Sequence, residues 1–151
     1  MPTRRKTLQH SAIAASLLAG AGLFPQYAQA YTAAAFDAKS VNDALRALGA
    51  GAPVASKDVV LTAPDIAENG AVVPVGVASS LPGVKLLVLL VEKNPNALAA
   101  VFNVNDAVES NFTTRAKMGQ SSDVYAVAIT NDGKAFFAKK EVKVTLGGCG
   151  G

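Results

Sequence analysis

Val84-Lys85-Leu86-Leu87-Val88-Leu89-Leu90-Val91 is an apolar run of eight residues broken only by Lys85. It is too short for a membrane span, which needs about 20 residues. It is rich in β-branched and γ-branched side chains and opens after Pro82-Gly83. Such a run reads as a central strand covered on both faces. Around it lie other short β-rich runs separated by Pro, Gly, Asn and Asp. They predict strands at 58–61, 72–78, 98–104, 109–118, 124–130 and 136–146. Tyr125, Val127 and Ile129 alternate with smaller residues, as do Val142, Val144 and Leu146, so these strands are expected to have one face in and one out. Asn131-Asp132-Gly133 between two runs is a hairpin signal, because Asn and Gly tolerate positive φ. Pro74 inside a strand predicts an edge or a bulge, since proline has no N–H for the ladder. Seven short strands at this spacing predict a mainly β chain, an antiparallel sandwich of immunoglobulin-like type, over residues 52–146.

Before the strands, residues 33–48 show helical periodicity: Val41, Leu45 and Leu48 share a face with Ala44, while Lys39, Asp43 and Arg46 lie opposite. Gly49 and Gly51 are expected to stop this helix, which occupies residues 31–51. Its apolar stripe is expected to cover the protein's own core.

Residues 1–30 read as an export signal. Arg4, Arg5 and Lys6 form a positive cluster, a weakly apolar run spans residues 12–24, and Ala28-Gln29-Ala30 is a small-x-small cleavage pattern. The paired arginines resemble a twin-arginine signal, although Thr7 stands where that motif prefers Phe; an ordinary secretory signal is the other reading. Either route places the protein in the periplasm, beginning at Tyr31. Three of the fourteen basic residues and none of the eleven acidic ones fall in the leader, which leaves eleven of each. A net-neutral chain with no basic face gives no case for nucleic-acid binding. It has no polybasic segment for anionic lipid either.

The catalytic inventory is nearly empty. The only histidine is His10, inside the leader. Without imidazole, Ser-His-Asp and Cys-His nucleophilic chemistry are excluded, as are the commonest zinc and copper sites. No phosphate-cradling glycine motif is present. Asn103, Asn105 and Asp106 sit close together but lack the Gly and Glu of a calcium loop, and read as a polar turn. No cofactor, metal site or catalytic residue is expected.

What remains is Gly147-Gly148-Cys149-Gly150-Gly151, which holds the only cysteine. Four glycines have no side chains to pack and lose most entropy on ordering, so residues 147–151 are expected to be a mobile arm. The five residues after Leu146 reach at most about 17 Å when extended. A single exported cysteine has no internal disulfide partner, so it is a free thiol or an intermolecular link. An unused thiol in an oxidising compartment is a liability.

This pentapeptide, the leader, the Ala-rich helix and Asp65-Ile66-Ala67-Glu68-Asn69-Gly70-Ala71-Val72-Val73-Pro74-Val75 together resemble the SoxY family of sulfur-oxidation proteins. The resemblance implies a periplasmic carrier that is not itself an enzyme. Cys149 would be the covalent attachment point, and Gly147, Gly148, Gly150 and Gly151 the carrier arm. It also implies partners: a SoxZ-like subunit forming a heterodimer, and a c-type cytochrome that loads thiosulfate oxidatively. A manganese-dependent hydrolase would then release sulfate, followed in many systems by a molybdenum sulfane dehydrogenase. Two other classes stay open. One is an exported non-catalytic sandwich that self-links through Cys149. The other is a thiol enzyme using Cys149 alone, for which a resolving cysteine is missing.

Overall fold

The structure is a computed structural model that describes residues 3–7, 9, 10 and 33–147. The chain divides into two compact units, Met1–Ala30 and Tyr31–Gly151. The expected leader falls largely outside the described residues. The second unit carries helices α1 (Ala33–Asp37) and α2 (Val41–Ala47). These are followed by strands β1 (Pro53–Ala55), β2 (Val59–Thr62), β3 (Ile66–Ala67), β4 (Val73–Ser79) and β5 (Val84–Val91). The last four are β6 (Leu98–Asn103), β7 (Asn111–Ala116), β8 (Ser122–Thr130) and β9 (Ala135–Val144). One sheet runs β1-β9-β8-β5-β6 with β3 also on β9; the other runs β2-β4-β7. The fold is an immunoglobulin-like sandwich with a helical N-terminal segment, as expected.

The apolar run 84–91 is β5, hydrogen-bonded to β6 on one side and β8 on the other. Leu87, Leu89 and Val91 point between the sheets, where they meet Val73, Val75 and Val77 of β4, Val124 and Ala126 of β8, and Met118. Phe102 of β6 and Phe112 of β7 stack across the gap at 4.6 Å between ring centroids. Leu86, Val88 and Leu90 point the other way and pack against Val41, Ala44, Leu45 and Leu48 of the helical segment, with Val127 and Ile129 of β8 in the same cluster. The molecule therefore has three layers: helices, large sheet, small sheet.

That third layer corrects the one-face-in expectation for 124–130. Tyr125, Val127 and Ile129 lie under the helices while Val124, Ala126 and Ala128 fill the sandwich, so β8 is covered on both sides. Its alternation of large and small residues marks two cores of different depth, not core against solvent. In β9, Val142 is fully buried, whereas Leu146 lies beyond the strand and is exposed.

The helix expected over 33–48 is two helices. Ser40 is extended (φ −124°, ψ 156°), and its Oγ accepts from the Asp43 N–H at 3.1 Å, a side-chain cap that restarts the helix. Lys39 is not on the face of Asp43 and Arg46; its Nζ donates to Asn96 Oδ1 at 2.6 Å. The stop is as expected at Gly49 (φ +76°): its N–H donates to the Arg46 carbonyl and that of Ala50 to the Leu45 carbonyl, a paired closure that needs a left-handed residue.

The β8–β9 hairpin has a positive φ at Gly133 (+82°), with Gly133 N–H on the Thr130 carbonyl and Thr130 N–H on that of Lys134. This is a three-residue turn, not a two-residue one. Asn105 builds the expected polar turn, its Oδ1 accepting from Ala107 N–H at 2.9 Å. Pro74 sits in the middle strand of the small sheet. β2 pairs only with residues 76–79 of β4, so the chain at Pro74 is locally an edge.

Candidate functional site

The cargo-bearing candidates Gly148, Cys149, Gly150 and Gly151 lie outside the described residues. Gly147 is described, and the structure shows what the arm grows from. Residues 145–147 continue past β9, and 143–147 are held by two segments that reach them from opposite sides.

The first segment is 63–70. After β2 the chain leaves the small sheet, pairs β3 in parallel with the end of β9 (Ile66 opposite Lys143, Ala67 opposite Val144), and returns to the small sheet as β4. Lys143 N–H donates to the Asp65 carbonyl at 3.0 Å, Thr145 N–H to that of Ala67 at 3.1 Å, and Gly70 N–H to that of Leu146 at 2.8 Å. Thr145 Oγ1 donates to the Glu68 carbonyl at 3.1 Å. Lys140 ties the same segment down, with Nζ 2.9 Å from Asp65 Oδ1 and 2.7 Å from the Ala63 carbonyl. That hydrogen bond and charge hold the Asp65 carboxyl below its ordinary pKa.

The second segment is the loop 117–121 between β7 and β8. Ser121 Oγ accepts from Val144 N–H at 2.8 Å. A Cβ placed on Gly147 would lie 2.5 Å from the carbonyl oxygen of Gly119, so the two backbones are in direct contact. The loop is itself anchored. Met118 is fully buried in the sandwich core and its N–H donates to the Gly70 carbonyl at 2.7 Å. Asn94 Nδ2 donates to the Lys117 carbonyl at 2.7 Å, and Asn94 Oδ1 accepts from Gly119 N–H at 3.4 Å.

Of the five expected site residues, then, one is placed, and it has a contact that its expected role did not include. Sequence reasoning passed over Gly119, Ser121 and Asn94 because no periodicity or motif marks them. It did single out 65–75 as a motif, and the structure shows what that stretch does: it supplies a two-residue strand and three backbone hydrogen bonds to residues 143–146 at the base of the arm. Among the described residues no group of three or more His, Cys, Asp or Glu side chains is placed to hold a metal ion. No helix among them is long and apolar enough to cross a membrane.

Residues 44–149 match the family described as sulfur oxidation protein SoxY. No curated protein matches the chain. Among solved structures, the sulfur carrier protein SoxY from Chlorobium limicola f thiosulfatophilum is 33% identical, with 71% of this chain and 97% of that one aligned at a TM-score of 0.63. A superoxide reductase (neelaredoxin) from Ignicoccus hospitalis is 21% identical over 57% of this chain and 79% of its own, at a TM-score of 0.51, a likeness of fold alone. The family match covers the strap formed by segment 63–70, both sheets and the segment up to Cys149, and the chain belongs to the SoxY family of sulfur-oxidation proteins.

Proposed function

We propose that this protein is a periplasmic sulfur carrier, exported by the twin-arginine route, which holds thiosulfate-derived sulfur covalently on Cys149 and presents it to partner enzymes. The observation that carries the reading is the seated base. The four residues before the Gly-Gly-Cys-Gly-Gly run, 143–146, are fixed to the sandwich rim, and the only thiol of the chain follows three residues beyond the last of them. The family membership and the carrier named from Chlorobium limicola support it.

Loading joins the thiol to thiosulfate. The Cys149 S–H proton leaves, a sulfur–sulfur bond forms to the outer sulfur, and two electrons pass to a c-type cytochrome. The product is a cysteine S-thiosulfonate. Hydrolysis by the manganese enzyme then breaks the bond between sulfane sulfur and sulfonate. Water supplies the oxygen of the departing sulfate, and a persulfide stays on Cys149. A molybdenum dehydrogenase would oxidise that sulfane sulfur further. Each step leaves the original thiol bonded to protein, so the carrier needs a reachable thiol and no catalytic group of its own. A SoxZ-like subunit completes the carrier as a heterodimer.

The test is intact-mass spectrometry of protein purified from thiosulfate-grown cells, alongside Cys149→Ser. Sulfur adducts on the wild type and none on the variant are expected, because a serine oxygen cannot form the sulfur–sulfur linkage. Thiosulfate-dependent cytochrome reduction that survives in Cys149→Ser would rule the carrier out. A disulfide-linked homodimer as the only mass, indifferent to thiosulfate, would instead identify a self-linking module.

A further inference from the structure

Gly147 is the one arm glycine whose surroundings are described, and they are crowded. Its backbone has no left-handed φ, so conformation does not demand glycine there. Space does: a Cβ would stand 2.5 Å from the Gly119 carbonyl oxygen and 3.4 Å from its carbonyl carbon. Neither atom can step aside cheaply. Gly119 follows the fully buried Met118, and Asn94 holds the loop at both the Lys117 carbonyl and the Gly119 N–H. On the opposite side, Gly70 N–H holds the Leu146 carbonyl. The chain thus leaves the rim through a slot one backbone wide, between the strap 67–70 and the loop 117–121.

We propose that Gly147 is a positioning residue, seated against Gly119 to fix the point and direction from which the thiol departs. This rests on the carrier reading and divides the arm in two. With Gly147 seated, the Cys149 Cα lies within about 7 Å of the Gly147 Cα, at roughly 3.3–3.6 Å per residue. That is about a third of the volume a tail anchored only at Leu146 would sweep, since the reach falls from three residues to two. An enzyme that receives the arm in a narrow channel gains from this, because orientation settled in advance is not lost on binding.

Two alanine substitutions separate the proposal from a general effect of losing a glycine. Gly147→Ala inserts the clashing Cβ. Gly51→Ala, before β1 and away from the slot, places its Cβ an ordinary 3.6 Å from the Gly133 carbonyl oxygen, and neither residue has a positive φ. In Gly147→Ala, residues 146–147 are expected to lift from the slot. The Gly70 and Thr145 amides should then exchange with deuterium about tenfold faster or more, as local opening requires. Enzymatic loading with thiosulfate should slow by roughly tenfold to a hundredfold, the scale of a misplaced reacting group. The rate of Cys149 with iodoacetamide and the thermal midpoint should not change, since neither depends on direction. Gly51→Ala should match wild type in every measurement.

Equal exchange and loading in the two variants would overturn the proposal. So would loss of iodoacetamide reactivity in Gly147→Ala, which would put the defect in the thiol itself. Should Gly147→Ala not fold, the wild type decides: a Gly70 amide exchanging as fast as an unstructured one overturns the seat. Exchange needs no sulfur compound. A protected Gly70 amide in a protein that takes no adduct would sink the carrier reading alone. Adducts that form alike in both variants would sink the seat alone.

Discussion

Leu89 and Val88 are neighbours in β5, both fully buried, and they serve different layers: Leu89 fills the gap between the sheets and Val88 packs under the helices. Leu89→Ala should cost about 2–5 kcal/mol, the range for a large-to-small change in a core that cannot collapse, and chemical denaturation would measure it. A cost well below that range would mean the two sheets close over the missing atoms. Asp65 works differently. Its carboxyl is exposed, and its pKa is lowered first by the hydrogen bond from Lys140 and then by the charge of that side chain. A lowered folded-state value means its contribution is present above the ordinary value of 3.8 and lost as the pH falls through the depressed one. The strap should therefore loosen in acid before the sandwich does. The Lys143 and Thr145 amides, bonded to the Asp65 and Ala67 carbonyls, should lose exchange protection first, and Asp65→Asn should remove that pH dependence. Solvent screening keeps the effect small, so global stability is not where to look for it.

The helical segment shows which elements were legible in the sequence. Its apolar stripe identified the residues that meet the large sheet, and Gly49 identified its end, because a 3.6-residue period and a left-handed closure both leave local marks. The break at Ser40 was not legible as a break: Ser40 lies inside the periodic stretch, and only its bond to Asp43 N–H reveals the cap. Ser40→Ala should destabilise the protein by about 1 kcal/mol, the usual loss for a cap. Gly49→Ala should cost a similar 1–2 kcal/mol through its left-handed backbone, even though a Cβ there has nothing within 4 Å. Equal thermal midpoints for wild type and Gly49→Ala would show that the chain relaxes out of φ +76° freely. The two short parallel pairings, β1 and β3 on β9, left no trace at all in the sequence pattern. Strands of three and two residues are too brief for any periodicity, and their partners lie some eighty residues away. For the same reason the arm's glycines and cysteine were readable from composition, while the slot that holds Gly147 was not. It is made of backbone atoms from three separated segments, and backbone contacts have no residue-type signature beyond the absence of a Cβ.

At the scale of the molecule, the two faces of the large sheet are both covered, one by the helices and one by the small sheet, so the core is complete within the chain. The outer face of the small sheet is different. Val60 is exposed on β2, and beside it Thr62, Pro74, Gly76, Ala78 and Thr113 line a shallow depression with little side-chain bulk. Val54, Ile66 and Val72 are exposed as well. A partner that covers such residues would add stability, since whatever binds only the folded form stabilises it by mass action. The proposed SoxZ-like subunit should accordingly raise the thermal midpoint of this chain on co-expression, and the rise should grow with partner concentration. Cys149→Ser should show the same rise, because the proposed carrier thiol follows the seated rim in sequence and belongs to neither core cluster. Export is expected to follow the pair. Replacing Arg4 and Arg5 by Lys should keep both subunits in the cytoplasm if the leader uses the twin-arginine route, because that route moves folded cargo and the partner would travel bound. Periplasmic fractions that contain the partner but not this chain would separate the two exports. Coincident midpoints for the isolated chain and the co-expressed pair, with a monomer in both, would show that the sandwich works without a second subunit.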